Sequence, residues 1–378
     1  MRAVICGAGV AGLTLATQLG RSGWKVVLLD HGSGPPGDGF LIELADEGLT
    51  AADRMGLSPK IREIAEPLTR ARWRGESGGV IADIDLRKSR GPACTLLRGD
   101  LQRILLENLP PTVDVRFGFE VTDIRSRPDG VDLALRPNGR LTADMLVGAD
   151  GVHSHIRKLV FDDSGLSSRT LGYDAAGFTF GDERVRGVLG GKLNALSVLG
   201  RHIVVAPLRA GRVAATLVHR SRTPVPPADP VAHLRSVYGD LGWCVPALLD
   251  HAGEAGELLY EQTTQIKLPC WYRGRIGLLG DACHAYSLLP GQGTSITLAA
   301  AAWLGTELTL APSIDVAFAW YQSRLMGEVA RRRVSTRRNV QWLVPGNHLD
   351  LTLRNGLLRL SAVPALNRLV RPVIGGMA

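Results

Sequence analysis

The sequence predicts an α/β fold with α+β character. A parallel sheet is built from separated stretches of chain, a domain of mixed sheet and helix is inserted between them, and helices close the C-terminal end. Three observations carry this reading. Residues 2–6 form a short apolar strand that runs into Gly7-Ala8-Gly9-Val10-Ala11-Gly12 and a helical stretch at 13–22. Two later stretches repeat a strand, a carboxylate and a small-residue turn: 143–147 leads to Gly148-Ala149-Asp150-Gly151, and 276–279 leads to Gly280-Asp281. Between these two, residues 168–264 carry β-type runs at 175–180, 201–207 and 213–219 and helical patches at 231–238 and 245–252, without any glycine motif.

After the first helix, a second strand at 25–29 ends at Asp30, about twenty residues beyond the glycines. Strand, glycine turn, helix and acid stand in the order of the dinucleotide-binding fingerprint. The glycines make the turn, the helix N-terminus takes a pyrophosphate, and the carboxylate takes ribose hydroxyls. The pattern predicts a bound ADP moiety but does not choose between NAD and FAD, and a βαβ unit without ligand is the plain alternative.

A polar loop follows from His31 to Gly39, then an apolar segment at 40–44 centred on Ile42 and an amphipathic helix to about 55. Gly37 and Gly39 either let backbone approach a flat ligand or simply serve the loop. Residues 70–85 read as a hairpin around Glu76-Ser77-Gly78-Gly79. Residues 95–101 open a helix that runs to 108, with Arg98 in its first turn, where a cation opposes the helix dipole. Either an anionic or carbonyl partner or a surface salt bridge offsets that cost. Strands at 113–116, 120–125 and 130–135, the last two joined through Pro128-Asp129-Gly130, read as a meander crossing the parallel sheet.

Asp150 and Asp281 are expected at the carboxyl edge of one sheet. Asp281 is placed to accept hydrogen bonds from ligand hydroxyls. Beyond it, Gly291-Gln292-Gly293 leads to a helix that opens at Thr294 or Ser295, whose free N–H groups favour negative charge or an electron-rich carbonyl. A strand-turn-helix whose glycines serve only the turn is the bland alternative.

Composition narrows the function classes. The 378 residues exceed one average domain, so one large or two interleaved domains are expected. The net charge of +8 and pI near 9.5 come from scattered residues, almost all arginine, which argues against nucleic acid as a partner. Five cysteines without a CxxC pair fit a reducing cytoplasm and exclude a disulfide framework. No signal peptide and no apolar run of membrane-spanning length is present, so a soluble cytoplasmic protein is expected. His202, His219 and His233 show no metal-ligand spacing; they are expected to be structural or surface residues, and no metal is expected.

Three motifs in order, Gly7-x-Gly9-x-x-Gly12 with Asp30, Gly148-Ala149-Asp150-Gly151-x-x-Ser154-x-x-Arg157, and Gly280-Asp281-Ala282-x-His284 with Gly291-Gln292-Gly293, resemble the class A flavin-dependent monooxygenases. That family includes p-hydroxybenzoate hydroxylase and the tetracycline-inactivating monooxygenases. The resemblance implies a p-hydroxybenzoate hydroxylase-like fold with a Rossmann-type FAD-binding domain in three parts (1–68, 94–167, 265–312). It also implies a substrate domain formed by a hairpin (69–93) and the insert (168–264), with C-terminal helices at 313–378. It implies non-covalent FAD, with NADPH or NADH as reductant. Gly7, Gly9, Val10, Ala11, Gly12, Asp30 and His31 would hold the ADP half, and Val121 would lie by the adenine. Arg98 would reach the ribityl and pyrophosphate region, Asp281 the ribityl hydroxyls, and Gly291, Gly293, Thr294 and Ser295 the flavin pyrimidine edge. Ile42, Asp150 and Gly151 complete the implied cofactor set.

The activity implied is hydroxylation or epoxidation of an aromatic or polycyclic small molecule, such as a polyketide-type secondary metabolite or antibiotic, by O2 through a C4a-hydroperoxyflavin. No catalytic acid or base is named, and His284 reads as structural. Asp30 is followed by His31 where the family usually has glutamate and arginine, the usual proline after the Gly280-Asp281 motif is Leu288 with Pro290 displaced, and Ser295 replaces an asparagine. These changes keep open an FAD-dependent oxidase or dehydrogenase that desaturates or cyclises its substrate without inserting oxygen. At the C-terminus, apolar Leu357, Leu358, Leu360, Leu366 and Val370 are interrupted by Pro364 and Pro372, which predicts a cap packed on the protein and not a membrane-surface tail.

Overall fold

The computed structural model describes residues 1–35, 37–89, 91–161, 168–223, 225–286 and 293–361. In chain order the elements begin with β1 (Arg2–Cys6), α1 (Val10–Arg21), β2 (Lys25–Asp30), β3 (Leu41–Ala45), α2 (Asp46–Arg54), α3 (Ser58–Ile64), β4 (Arg70–Arg74), β5 (Val80–Asp85) and α4 (Leu86–Ser89). They continue with β6 (Ala93–Leu97), α5 (Arg98–Glu107), β7 (Val113–Phe117), β8 (Glu120–Ser126), β9 (Val131–Arg136), β10 (Arg140–Ala143), β11 (Met145–Gly148) and α6 (His155–Val160). Then come β12 (Ser168–Gly181), α7 (Glu183–Leu189), β13 (Leu193–Val198), β14 (Arg201–Pro207), β15 (Arg212–Arg220), α8 (Pro230–Tyr238), α9 (Val245–Glu254) and β16 (Leu259–Ile266). The chain ends with β17 (Tyr272–Arg273), β18 (Ile276–Leu278), α10 (Asp281–His284), α11 (Thr294–Leu310), α12 (Ile314–Leu343) and α13 (His348–Ser361).

Two large sheets organise these elements. The first runs β17-β18-β11-β1-β2-β7, parallel except at the β17–β18 edge. Its central strands are continuous apolar runs, β1 and β11 being buried on both faces, as helix-covered parallel strands require. The second runs β16-β12-β15-β14-β13-β4-β5 and is antiparallel apart from the β13–β4 pair. The hairpin β4–β5 therefore belongs to the same sheet as the strands of 168–264. A three-stranded sheet, β10-β9-β8, and a two-stranded pair, β3-β6, complete the set.

Helix α11 shows why the fold closes where it does. It is apolar all round and buried along most of its length, as a helix clamped on every side must be. Gly305 lets α1 approach: a Cβ there would meet the Gln18 side chain at 2.5 Å. Gly48 does the same for α2 against Ser295.

Two expectations change. The strand at Val113 does not join a meander; it pairs in parallel with β2, Val26 opposite Val113, and extends the first sheet, leaving only β8, β9 and β10 as the meander. Residues 93–97 form a strand before the helix at Arg98, because β6 finds a partner in β3 that local sequence does not reveal. Among the expected C-terminal helices, α12 runs without interruption from Ile314 to Leu343. Its end and α13 pack on the second sheet: Val340, Leu343, Val344 and Leu358 share a core with Trp73, Tyr173 and Ala175. Leu366, Val370, Pro364 and Pro372 lie outside the described residues. Among the described residues, no helix is long and apolar enough to cross a membrane.

Candidate functional site

A cavity of about 640 Å³ opens at the carboxyl edge of the first sheet, bounded by the turns after β1, β2, β11 and β18, by the start of α5, and by β16 of the second sheet. In open parallel sheets that edge is where ligands bind. Gly7, Gly9, Val10, Ala11, Asp30, His31, Arg98, Asp150, Gly151, Asp281, Gly293 and Thr294 all line it. Twelve positions spread over nearly three hundred residues are thus brought to one place.

The turn after β1 is shaped by what glycine alone allows. Gly7 has φ of 107° and hangs on β2 by a 2.7 Å bond from its N–H to the Leu29 carbonyl. A side chain on it would overlap the Ala149 carbonyl, and one on Gly12 would overlap the Gly7 carbonyl. Gly12 therefore sets helix-to-turn packing and does not face the cavity. Helix α1 opens at Gly9 without a capping side chain and without an acid in its first turn, and its first internal bond is Leu13 N–H to the Gly9 carbonyl. The N–H groups of Val10 and Ala11 stay unspent at the positive end of the helix dipole, beside the cavity.

Asp30 is fixed before any ligand arrives. Its carboxylate accepts N–H bonds from Ala8 and Gly32, both 2.7 Å, which ties the two turns together. A carboxylate offers about four acceptor sites, so two remain for hydroxyls. The His31 side chain is 84% exposed, and its Nδ1 stands 3.8 Å from the Asp30 carboxylate.

The middle motif is built inward. Asp150 accepts from Ser154 Oγ at 2.5 Å and from the N–H groups of His155 and Ile156 at 2.7 and 3.0 Å, so its oxygens cap α6. Ser154 Oγ in turn accepts from Arg157 N–H. The Arg157 guanidinium, 2% exposed, donates to the carbonyls of Ala282 (2.9 Å) and Val152 (2.7 Å) and so bolts the turn after β11 to the turn after β18. Asp150 lines the cavity, but its carboxylate is already engaged.

Asp281 is different. It faces the open cavity on one side and is walled by protein on the others; that burial and the Glu261 carboxylate push its carboxyl up, while Arg98 pulls it down. Arg98 begins α5, its N–H bonded to the Phe40 carbonyl and its guanidinium stacked 5.9 Å from the Phe40 ring centre. Its Nε is buried without a partner. Thr294 opens α11, again without a capping side chain.

Four other expected positions do not face the cavity. Val121 and Ile42, each 2% exposed, sit in the main core because the inward face of their strands packs there. Gly12 serves the turn, and Ser295 is spent on β3: its hydroxyl donates to the Glu43 carbonyl and accepts from Ala45 N–H. Gly291, Gln292, Leu288 and Pro290 lie outside the described residues. Sequence reasoning missed Phe40, Gln102, Phe117, Ala175 and the run Glu261 to Thr264, which also line the cavity. Gln102 alone carried a signal, one helical turn beyond Arg98. His284 is fully enclosed against Trp271, with burial lowering its pKa to about 4.

The geometry fits FAD. A glycine cradle closed to any side chain, an uncapped helix N-terminus for the pyrophosphate, a pinned carboxylate for a ribose, and an arginine whose Nε is buried without a partner line one cavity with a second carboxylate, Asp281. The family model for the FAD binding domain matches residues 1–186. A flavin-dependent monooxygenase of Legionella longbeachae is 27% identical over 323 residues, covering 82% of this chain and 81% of the relative. The 3-hydroxybenzoate 6-hydroxylase 1 of Aquipseudomonas alcaligenes is 29% identical over 317 residues, with 81% and 80% covered. Klebsiella pneumoniae HpxO, solved with FAD and uric acid, superposes with a TM-score of 0.83 at 23% identity, covering 100% of this chain and 95% of that one, which shows the shared fold. The cavity, the FAD-domain match over residues 1–186 and relatives aligned over most of their length agree, and the chain is similar over most of its length to flavin-dependent monooxygenases.

Proposed function

We propose that this chain is an FAD-dependent monooxygenase that uses NADPH or NADH and O2 to hydroxylate or epoxidise an aromatic or polycyclic small molecule. The observation that carries the proposal is the convergence of the α1 N-terminus, Asp30, Arg98 and Asp281 on one cavity that the second sheet closes from the other side. When bound, FAD supplies hydride acceptance and activation of oxygen. The protein's part is to bind, orient and exclude water. The N–H groups at the start of α1 would hold the pyrophosphate, Asp30 the adenosine ribose, and Arg98 and Asp281 the ribityl chain. Gly293 and Thr294, at the α11 N-terminus, would offer N–H groups to an electron-rich part of the ring system. Ser295, its hydroxyl spent on β3, can contribute only its backbone.

Among the described residues, neither His284 nor Tyr286 is poised as an acid or base. His284 is neutral and enclosed, and the Tyr286 hydroxyl, 3.5 Å from Arg332, is pushed up by burial. Positioning and shielding are therefore the protein's catalytic contribution. The second sheet, with α12 and α13 packed on it, forms the substrate wall, and the benzoate hydroxylase relative and the uric acid complex support a flat ring-bearing substrate.

Purified protein should be yellow and release FAD on denaturation. Anaerobic mixing with NADPH or NADH should bleach the flavin, faster with the right substrate present. Turnover under labelled O2 should then place one labelled atom in the product. A product oxidised without label would identify an oxidase or dehydrogenase, and a colourless protein that binds NAD alone would overturn the proposal.

A further inference from the structure

On the face of the second sheet turned away from the cofactor cavity, three side chains meet that local sequence keeps far apart. Asp174 on β12 and His219 on β15 are direct cross-strand partners, and His233 reaches them from α8. Strand alternation separates this place from the FAD cavity: Ala175 lines the cavity, while Asp174 points to the other face, under α8. From these residues we infer that Asp174, His219 and His233 form a binding site for a zinc-type divalent metal ion that clips α8 to the sheet.

The geometry is that of a chelating triad. One ligand atom from each residue lies within 4.8 Å of the others. The two Nε2 atoms are 3.2 Å apart. Two imidazole nitrogens bound at 2.0–2.1 Å to one tetrahedral ion stand about 3.3–3.4 Å from each other. A hydrogen bond between the two rings would also explain that spacing, but it leaves the carboxylate unexplained. Asp174 is 1% exposed, its Oδ2 accepts from the Tyr260 hydroxyl at 2.8 Å, and its Oδ1 has no partner. Among the described residues no lysine or arginine pairs with it. A buried carboxylate without a counter-cation is costly unless it coordinates a metal.

The surroundings suit such an ion. The Tyr238 hydroxyl, 3.3 Å from His219 Nδ1, orients that ring from behind, the usual arrangement around a metal-ligating histidine. His233 is only partly buried, which gives the ion an entry path and leaves a fourth position for water. Two imidazoles and one carboxylate select zinc-like transition metals over calcium or magnesium, which prefer all-oxygen sites. Because the ligands come from two strands and a helix, a bound ion would join α8 to the sheet.

The test uses FAD-loaded protein, stripped with a chelator and dialysed, then titrated with ZnCl2 by calorimetry and with CoCl2 by absorbance. One ion per chain is expected, with a visible cobalt band and no sulfur charge-transfer band. Bound zinc should raise the Tm, with the logarithm of its concentration once that exceeds the Kd. His233→Asn and Asp174→Asn should each weaken binding at least about tenfold and remove the Tm increase. Both variants are checked for retained flavin, and His233, being partly exposed, tolerates replacement without loss of fold. His202→Asn, on the opposite face of the sheet, should bind the ion as the wild type does. Absence of binding to the wild type, or binding unchanged in both the His233 and Asp174 variants, overturns the inference.

Discussion

Replacing Arg157 with methionine tests what the middle motif does. The guanidinium is buried and donates to the Val152 carbonyl at 2.7 Å and the Ala282 carbonyl at 2.9 Å, joining two turns that both reach the cofactor cavity. Methionine fills similar space but donates nothing, so the buried Ala282 carbonyl and the part-buried Val152 carbonyl lose this partner, at up to about 1–3 kcal/mol each. Part of this is offset because a charge no longer has to be buried, which leaves a net loss of about 2–4 kcal/mol. For a chain of this size that corresponds to a Tm lower by roughly 3–5 °C. The same change frees the turn that carries Asp281, so FAD should dissociate more readily although Arg157 does not line the cavity. Thermal unfolding followed by circular dichroism, alongside flavin fluorescence as the cofactor is released, separates the two effects. Arg157→Lys, whose ammonium can reach one carbonyl but not both, should fall between. A methionine variant with unchanged Tm and a full complement of FAD would refute the clamp.

Other consequences are equally direct. Gly12→Val places a side chain on the Gly7 carbonyl, and the expected product is poorly folded, flavin-free protein. Acidification should destabilise the fold between pH 7 and 5. His202 and His284 are neutral in the folded state, with burial lowering their pKa values to about 3 and about 4, while an unfolded histidine takes up a proton near 6.5. The unfolded state therefore binds more protons in that window, so stability is lost as pH falls, up to about 2 kcal/mol per histidine by pH 5. The raised Asp281 carboxyl opposes this weakly, since it favours the folded state as pH falls through its own titration. Urea titrations at both pH values should show the loss, and His202→Asn should flatten it. Deleting residues 345–378 removes fully buried Leu358 and uncovers Trp73 and Tyr173, at a cost of at least about 2 kcal/mol; a fully stable truncation would show that α13 is dispensable.

The legibility of the site follows the distance over which each part is determined. Gly7, Gly9, Gly12 and Asp30 form one contiguous unit whose geometry depends on neighbours a few residues away, so their arrangement could be read directly. Asp150 could be placed at the sheet edge, but its use as a cap for α6 depends on the N–H groups of His155 and Ile156, which a strand–carboxylate–turn pattern does not distinguish from a ligand-facing acid. Val121 and Ile42 illustrate another limit. Each lies on a strand near the cavity, yet a strand has two faces, and which one packs inward is decided by register with β9 and β6. Phe40, Ala175 and Glu261 reach the cavity because two sheets meet, and no local pattern in either sheet contains that meeting. The pairing of Asp174 with His219 depends likewise on long-range register, which is why histidine spacing gave no metal signal.

The charges around the cavity lead to a last expectation. Four carboxylates line it, on Asp30, Asp150, Glu261 and Asp281, while the arginine count of the chain is represented there by Arg98 alone among the described lining residues. A dinucleotide pyrophosphate is an anion, so a site of this composition must hold it with backbone N–H groups at the start of α1 and with that single guanidinium. The acids near it are not equally repulsive. Asp30 and Asp150 are screened by the N–H bonds they accept, whereas Asp281 is raised by burial and by Glu261, and Arg98 is the cation that draws it down. Arg98→Met should therefore act twice, removing a charge-assisted bond to the cofactor and letting Asp281 rise further. A lost bond of about 1.5–3 kcal/mol corresponds to a Kd for FAD roughly ten to a hundred times weaker. Arg98 is half-buried at the surface of α5, so the fold should survive. Titrating the stripped variant with FAD would measure the effect, and an unchanged Kd would mean that the helix N-terminus alone carries the anion.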